Sequence, residues 1–175
     1  MKPASSVVLS ALAAILCACE PGESAWETKV DFTEQFFQPE NDVRLGRSEA
    51  LYVPVYSSVL TGEGARPTEL AATLSIRNTD LASPIFVTSV TYYDTAGQLI
   101  ETFLEGAHGL GPMASASIII NVSDTRGGLG ANFIVEWGAE KAVSDPIVEA
   151  VMIGSSGTHG FSFTSQARGL NSGGQ

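Results

Sequence analysis

Beyond residue 50, apolar side chains recur at every second position in short runs. From Leu70 to Asn78, Leu70, Ala72, Leu74 and Ile76 alternate with Ala71, Thr73, Ser75 and Arg77. A period of two sends one set to a core and the other to water, which predicts a half-buried strand. The same period sets Ala116, Ile118, Ile120 and Val122 on one face of Ser115 to Val122. In Asn132 to Trp137 it sets Phe133, Val135 and Trp137 against Asn132, Ile134 and Glu136. Leu51 to Tyr56 predicts a strand at a sheet edge, because Pro54 has no N–H to give to a ladder. Ile85 to Tyr93 is β-branched and aromatic, and Asp94-Thr95-Ala96-Gly97 turns it into Gln98 to Leu104 as a hairpin. Ile147 to Ile153 is apolar on both faces, which predicts a central strand. Phe161 and Phe163 close the set. No amphipathic helical stretch interrupts it, so the expected fold is all-β, an immunoglobulin-like β-sandwich of about 7–8 antiparallel strands.

The amino terminus has a different texture. After Lys2, Val7 to Leu16 forms an apolar run whose helical length is about 15 Å, half of a hydrocarbon core. It reads as the core of a signal peptide and not as a permanent span. Leu16-Cys17-Ala18-Cys19 follows and resembles the lipobox of bacterial lipoproteins. That resemblance implies cleavage after Ala18 and lipid on Cys19. Several acyl chains would then hold the protein at a membrane. The expected organisation is a signal peptide over 1–18, a lipidated N-terminus and linker over 19–48, a β-sandwich over 49–166 and a flexible tail over 167–175. The later linker should pack on the domain, with Phe36-Phe37 either part of that packing or an exposed docking element.

Charge narrows the partners. The chain carries −10 over 175 residues, and removal of residues 1–18 takes away only Lys2, leaving −11. An acidic surface repels phosphate backbones and anionic head groups, so no nucleic acid is expected and membrane contact should come from the lipid. Cys17 and Cys19 are the only cysteines. Neither can staple the folded region.

Chemistry is sparse. His108 and His159 are the only histidines and lie among glycines. Neither has a second ligand at zinc-site spacing. Gly154-Ser155-Ser156-Gly157 lacks the spacing of a nucleophile elbow. Asp124 to Asn132 is glycine-rich and reads as a hairpin connection or as a binding loop. Glu149 sits in an apolar strand, where it either points outward or is buried, and a buried carboxylate needs a partner. Arg77 and Arg126 are the candidate partners, with Glu136 and Asn132 nearby. These five residues form the candidate polar cluster. No catalytic residue, metal ligand or cofactor is expected.

Several segments resemble a family of bacterial lipoproteins known as the domain of unknown function 3124. They are Leu51 to Tyr56, Ala71 to Asp80, Ser89 to Asp94, Gly127 to Trp137 and Pro146 to Gly154. The resemblance spans about residues 50–168. It implies export and a single β domain, and supplies no catalytic residues. The expected function is a non-enzymatic interaction or assembly module in the bacterial cell envelope, facing the periplasm or exterior, with an envelope protein as partner. The alternative is a small-molecule or cation-binding periplasmic domain using Asp80, Asp94 and Asp124.

Overall fold

The structure is a computed structural model that describes residues 32–60 and 66–170. The predicted signal peptide, Cys19, the first part of the linker and residues 171–175 lie outside the described residues. The described residues form ten strands: β1 (Arg47–Val55), β2 (Ser58–Leu60), β3 (Pro67–Arg77), β4 (Ile85–Tyr93), β5 (Leu99–Leu110), β6 (Ser115–Ile120), β7 (Ala131–Ala139), β8 (Ile147–Ser156), β9 (His159–Gln166) and β10 (Arg168–Gly169). Two short 3-10 turns, Thr33–Gln35 and Gly128–Gly130, complete the list. No helix among the described residues is long and apolar enough to cross a membrane.

Every pairing is antiparallel, and the strands form two sheets. The first runs β10-β1-β7-β4-β5. The second runs β2-β3-β8-β9, with β6 beside β3. The chain crosses between sheets repeatedly, as in a sandwich of the immunoglobulin-like kind. The alternation places the core as expected: Leu70, Ala72, Leu74 and Ile76 of β3 are buried, as are Phe133, Val135 and Trp137 of β7. Tyr92 stacks on Phe133 with ring centroids 4.8 Å apart. In β4 the inward residues Val87 and Val90 are three apart, because Thr88 is an extra residue in the ladder to β7.

Several boundaries differ from the sequence reading. Two strands more than eight appear, β2 and β10, of three and two residues; each is too short to leave a periodic signal. β10 pairs Gly169 with Leu51 and Arg168 with Tyr52. Residues 167–170 are therefore held to the sandwich and are not a free tail. β10 covers only those two positions of β1, so Pro54 lies on the open part of that edge. β8 is central, between β3 and β9, yet only one of its faces is covered: Ile147 and Ile153 are exposed.

The domain also begins earlier than residue 49. Phe32 is buried, and its ring meets that of Phe36 edge-on with centroids 5.0 Å apart. Phe37 exchanges backbone hydrogen bonds of 2.9 and 2.8 Å with Gly109 of β5. The Gln35 side chain donates to Ser117 O at 3.0 Å and accepts from Ser117 N at 2.8 Å. This amino-terminal strap spans from the edge of one sheet to the edge of the other. Phe36 thus packs against the core, while Phe37 is held by its backbone and by an edge-on contact with Phe86 and is itself 45% exposed.

Candidate functional site

The structure joins two of the five predicted polar residues. Ser75 lies opposite Glu149, and Arg77 opposite Ile147, which makes Arg77 and Glu149 diagonal neighbours on one face. Their Nη2 and Oε1 are 3.2 Å apart, and Arg77 Nε donates to Ser75 Oγ at 3.1 Å. The Arg77 side chain is 51% exposed and that of Glu149 23%. This is a partly exposed ion pair, contributing about 0.5 kcal/mol or less; β8 turns Glu149 outward, so the apolar strand does not bury it. Arg126 is elsewhere, held by Asp124 at 2.7 Å and Glu101 at 3.0 Å. That hydrogen bond from Arg126 keeps the Asp124 carboxyl below its ordinary pKa. Asn132 and Glu136 stand on β7, in the other sheet, facing β1 and β4 neighbours.

The glycine-rich segment is not a hairpin connection. It carries the chain from β6 in one sheet to β7 in the other. Ser57 N donates to Gly128 O, Thr95 N donates to Gly127 O, and Gly130 N donates to Thr95 Oγ1. Gly128 takes a φ of +72°, where glycine is favoured. A Cβ on Gly127 would lie 2.1 Å from Tyr92 Oη and 2.5 Å from Ser57 Oγ. Those two hydroxyls form a buried hydrogen bond of 2.9 Å. Burial raises the Tyr92 phenol above its usual pKa. The segment is thus tied down as a plug over one end of the sandwich.

The two histidines stand apart. His108 lies within β5, which extends further than the hairpin reading allowed, with Nδ1 2.9 Å from Gly106 O. His159 opens β9 on the other sheet. Among the described residues no group of three or more His, Cys, Asp or Glu is placed to hold a metal. Asp80 accepts from the N–H groups of Ala82, Ser83 and Ser144, and Asp94 from those of Ala96 and Gln98. Their oxygens shape turns.

At the opposite end from the plug, β1, β7 and the start of β8 enclose a cleft of about 450 Å³. Glu49, Trp137, Asp145, Arg77 and Glu149 line it. Arg47 binds Glu49 and Asp145, with its guanidinium 5.0 Å from the centroid of the Trp137 ring. Trp137 Nε1 has no hydrogen-bond partner among the described residues but is itself buried, so the cleft does not present it to a ligand. Each carboxylate there is already matched by an arginine. Sequence reasoning missed this end. Its signal was present: Arg47 and Glu49 share parity with Leu51, Val53 and Val55, so the inward stripe becomes charged where the sandwich opens.

The sheet edges differ more sharply than any polar cluster. β5 is bridged by Phe37 and carries Glu101 and Glu105. β6 is met by the Gln35 amide, while β2 and β10 are very short. Charge, short strands and covering segments are the ordinary ways of blocking an edge. β9 has none of them. Its eight residues, His159-Gly-Phe-Ser-Phe-Thr-Ser-Gln166, include no Asp, Glu, Lys, Arg or Pro, and its outer edge is unpaired among the described residues. β9 is held through inward side chains: Phe163 meets the Tyr56 ring edge-on, and Ser165 Oγ donates to Pro54 O. The outer face beside it carries no charge in two rows, which end at Glu149, opposite Gln166 of β9. The row Ile119, Thr73, Val151 and Thr164 crosses β6, β3, β8 and β9, next to Ala71, Ile153 and Ser162. Ile119 is 62% exposed and Ile153 56%.

A family model for proteins of unknown function, DUF3124, matches residues 48–170. The chain belongs to this family. The DUF3124 match takes in β9, the two uncharged rows beside it and the plug, and it starts just after Arg47 and the strap. No curated protein matches the chain. Among solved structures, the crystal structure of Thermotoga maritima 1070 is similar at 10% identity and a TM-score of 0.45, covering 71% of this chain and 96% of that one.

Proposed function

We propose that this DUF3124 protein is exported, is held at a membrane of the bacterial cell envelope by lipid on Cys19, and acts as a non-enzymatic interaction module. Its β9 edge takes up a strand from a partner. The observation that carries this reading is the contrast among edges: among the described residues the others are blocked or short, and β9 is long, uncharged and unpaired. Such an edge offers a row of free N–H and C=O groups, and strand addition supplies affinity through main-chain hydrogen bonds. The lipobox resemblance supports the anchored address. The carboxylates of Asp80, Asp94 and Asp124 are engaged by N–H groups and by Arg126, so these three lend the cation-binding alternative no support.

The test is a photo-crosslinking residue at Ser162 of the full chain in cells, with a matching one at the exposed Leu81 as control. A discrete adduct from position 162, absent from position 81 and lost with Thr164→Asp, is the expected result. Absence of any adduct at 162, or the same adducts at both positions, overturns the reading.

A further inference from the structure

We infer that the strand added to β9 is β9 of a second copy of this chain, paired antiparallel about a two-fold axis. The inference rests on the strand-addition reading above and specifies its partner. Charge is the first argument. A protein of net −10 repels its own copies wherever carboxylates meet. A foreign partner of such a protein is ordinarily selected by complementary charge. β9 offers little to read: no acidic or basic group apart from His159 at its start lies on the strand, and none lies in the row from Ile119 to Thr164 or in the row of Ala71, Ile153 and Ser162, with Glu149 one row away opposite Gln166. It is a place where two copies meet with no like charges opposite one another.

Side-chain parity is the second argument. Along β9, Phe161, Phe163 and Ser165 alternate with the exposed Ser162 and Thr164. An antiparallel self-pairing that keeps both faces continuous sets Ser162 and Thr164 against the same small hydroxyl residues of the other copy. Phenylalanines then meet phenylalanines on the inner side. Ser–Thr and aromatic pairs are favourable cross-strand neighbours. The interface is isologous, so it closes at two copies and leaves no free edge to propagate. The covered β5 and β6 edges then keep the dimer from growing into a fibre.

The experiment is mild oxidation of full-length Ser162→Cys in its own membranes, with the parent chain reporting any background from Cys17 and Cys19. Leu81→Cys serves as the surface control. The expected product is a disulfide-linked species of twice the chain mass, seen only with Ser162→Cys and lost when Thr164→Asp is added. Light scattering of the detergent-extracted protein should read two chains, falling to one with Thr164→Asp. A position-162 adduct to a different protein, with a single chain by light scattering, overturns the self-pairing and leaves strand addition standing. No adduct of either kind overturns both.

Discussion

Gly127 shows how much one hydrogen atom can decide. Its φ of −69° would suit any residue, so the requirement is room beneath the Tyr92 and Ser57 hydroxyls. Gly127→Ala should therefore lower stability by about 2 kcal/mol, the scale of overpacking, as read by urea unfolding. Tyr92→Phe leaves the buried Ser57 hydroxyl without its partner, and should cost about 1–2 kcal/mol in the same measurement. Glu149→Gln should change stability by less than about 1 kcal/mol, because its pair with Arg77 is partly exposed; a larger loss would mean that the carboxylate holds more than that pair. Backbone N–H groups of Ala82, Ser144 and Ser83 hold the Asp80 carboxyl below its ordinary value of 3.8. A carboxylate depressed in the folded state contributes stability above its unfolded pKa and loses it as pH falls through the folded one. The melting temperature should thus decline below about pH 4, and less steeply in Asp80→Asn. These residues were not legible as sites, because alternation reports which way a side chain points and not what it meets.

Elements were the most legible scale. The two-residue period located β3, β6 and β7 with their inward faces, since a strand at a sandwich interface must bury alternate residues, although Val122, expected on the inward face of β6, lies beyond its end at Ile120 and is half exposed. It faltered where the ladder is irregular. The extra Thr88 shifts parity inside β4, and Gly106, with a φ of +89°, lies within a β5 that continues to Leu110. It also faltered where pairing is made by side chains. Gln35 acts as a one-residue strand on β6, a role that no periodicity announces. Gln35→Ala should remove both bonds to Ser117, costing about 1–2 kcal/mol and speeding amide exchange at Ser117 and its neighbours in β6. Unchanged exchange there would show that the strap does not protect this edge.

At the scale of the molecule, the proposed amino-terminal leader and the sandwich would carry separate instructions. Cys19→Ala should move the protein from the membrane fraction to the soluble one while its melting temperature stays the same, since the folded unit begins beyond the tether; retention in the membrane would remove the anchor from the proposal. The chain's own residues determined the all-β class, the strand faces and the acidic surface, because burial of alternate side chains and summed charge are local properties of a sequence. Tertiary structure alone decided that Arg77 finds Glu149 while Arg126 does not, that the glycine-rich segment crosses between sheets, and that β9 is left open while β5 and β6 are covered. Those outcomes depend on which strands become neighbours, and neighbours in a sandwich are set by packing between segments far apart in the chain.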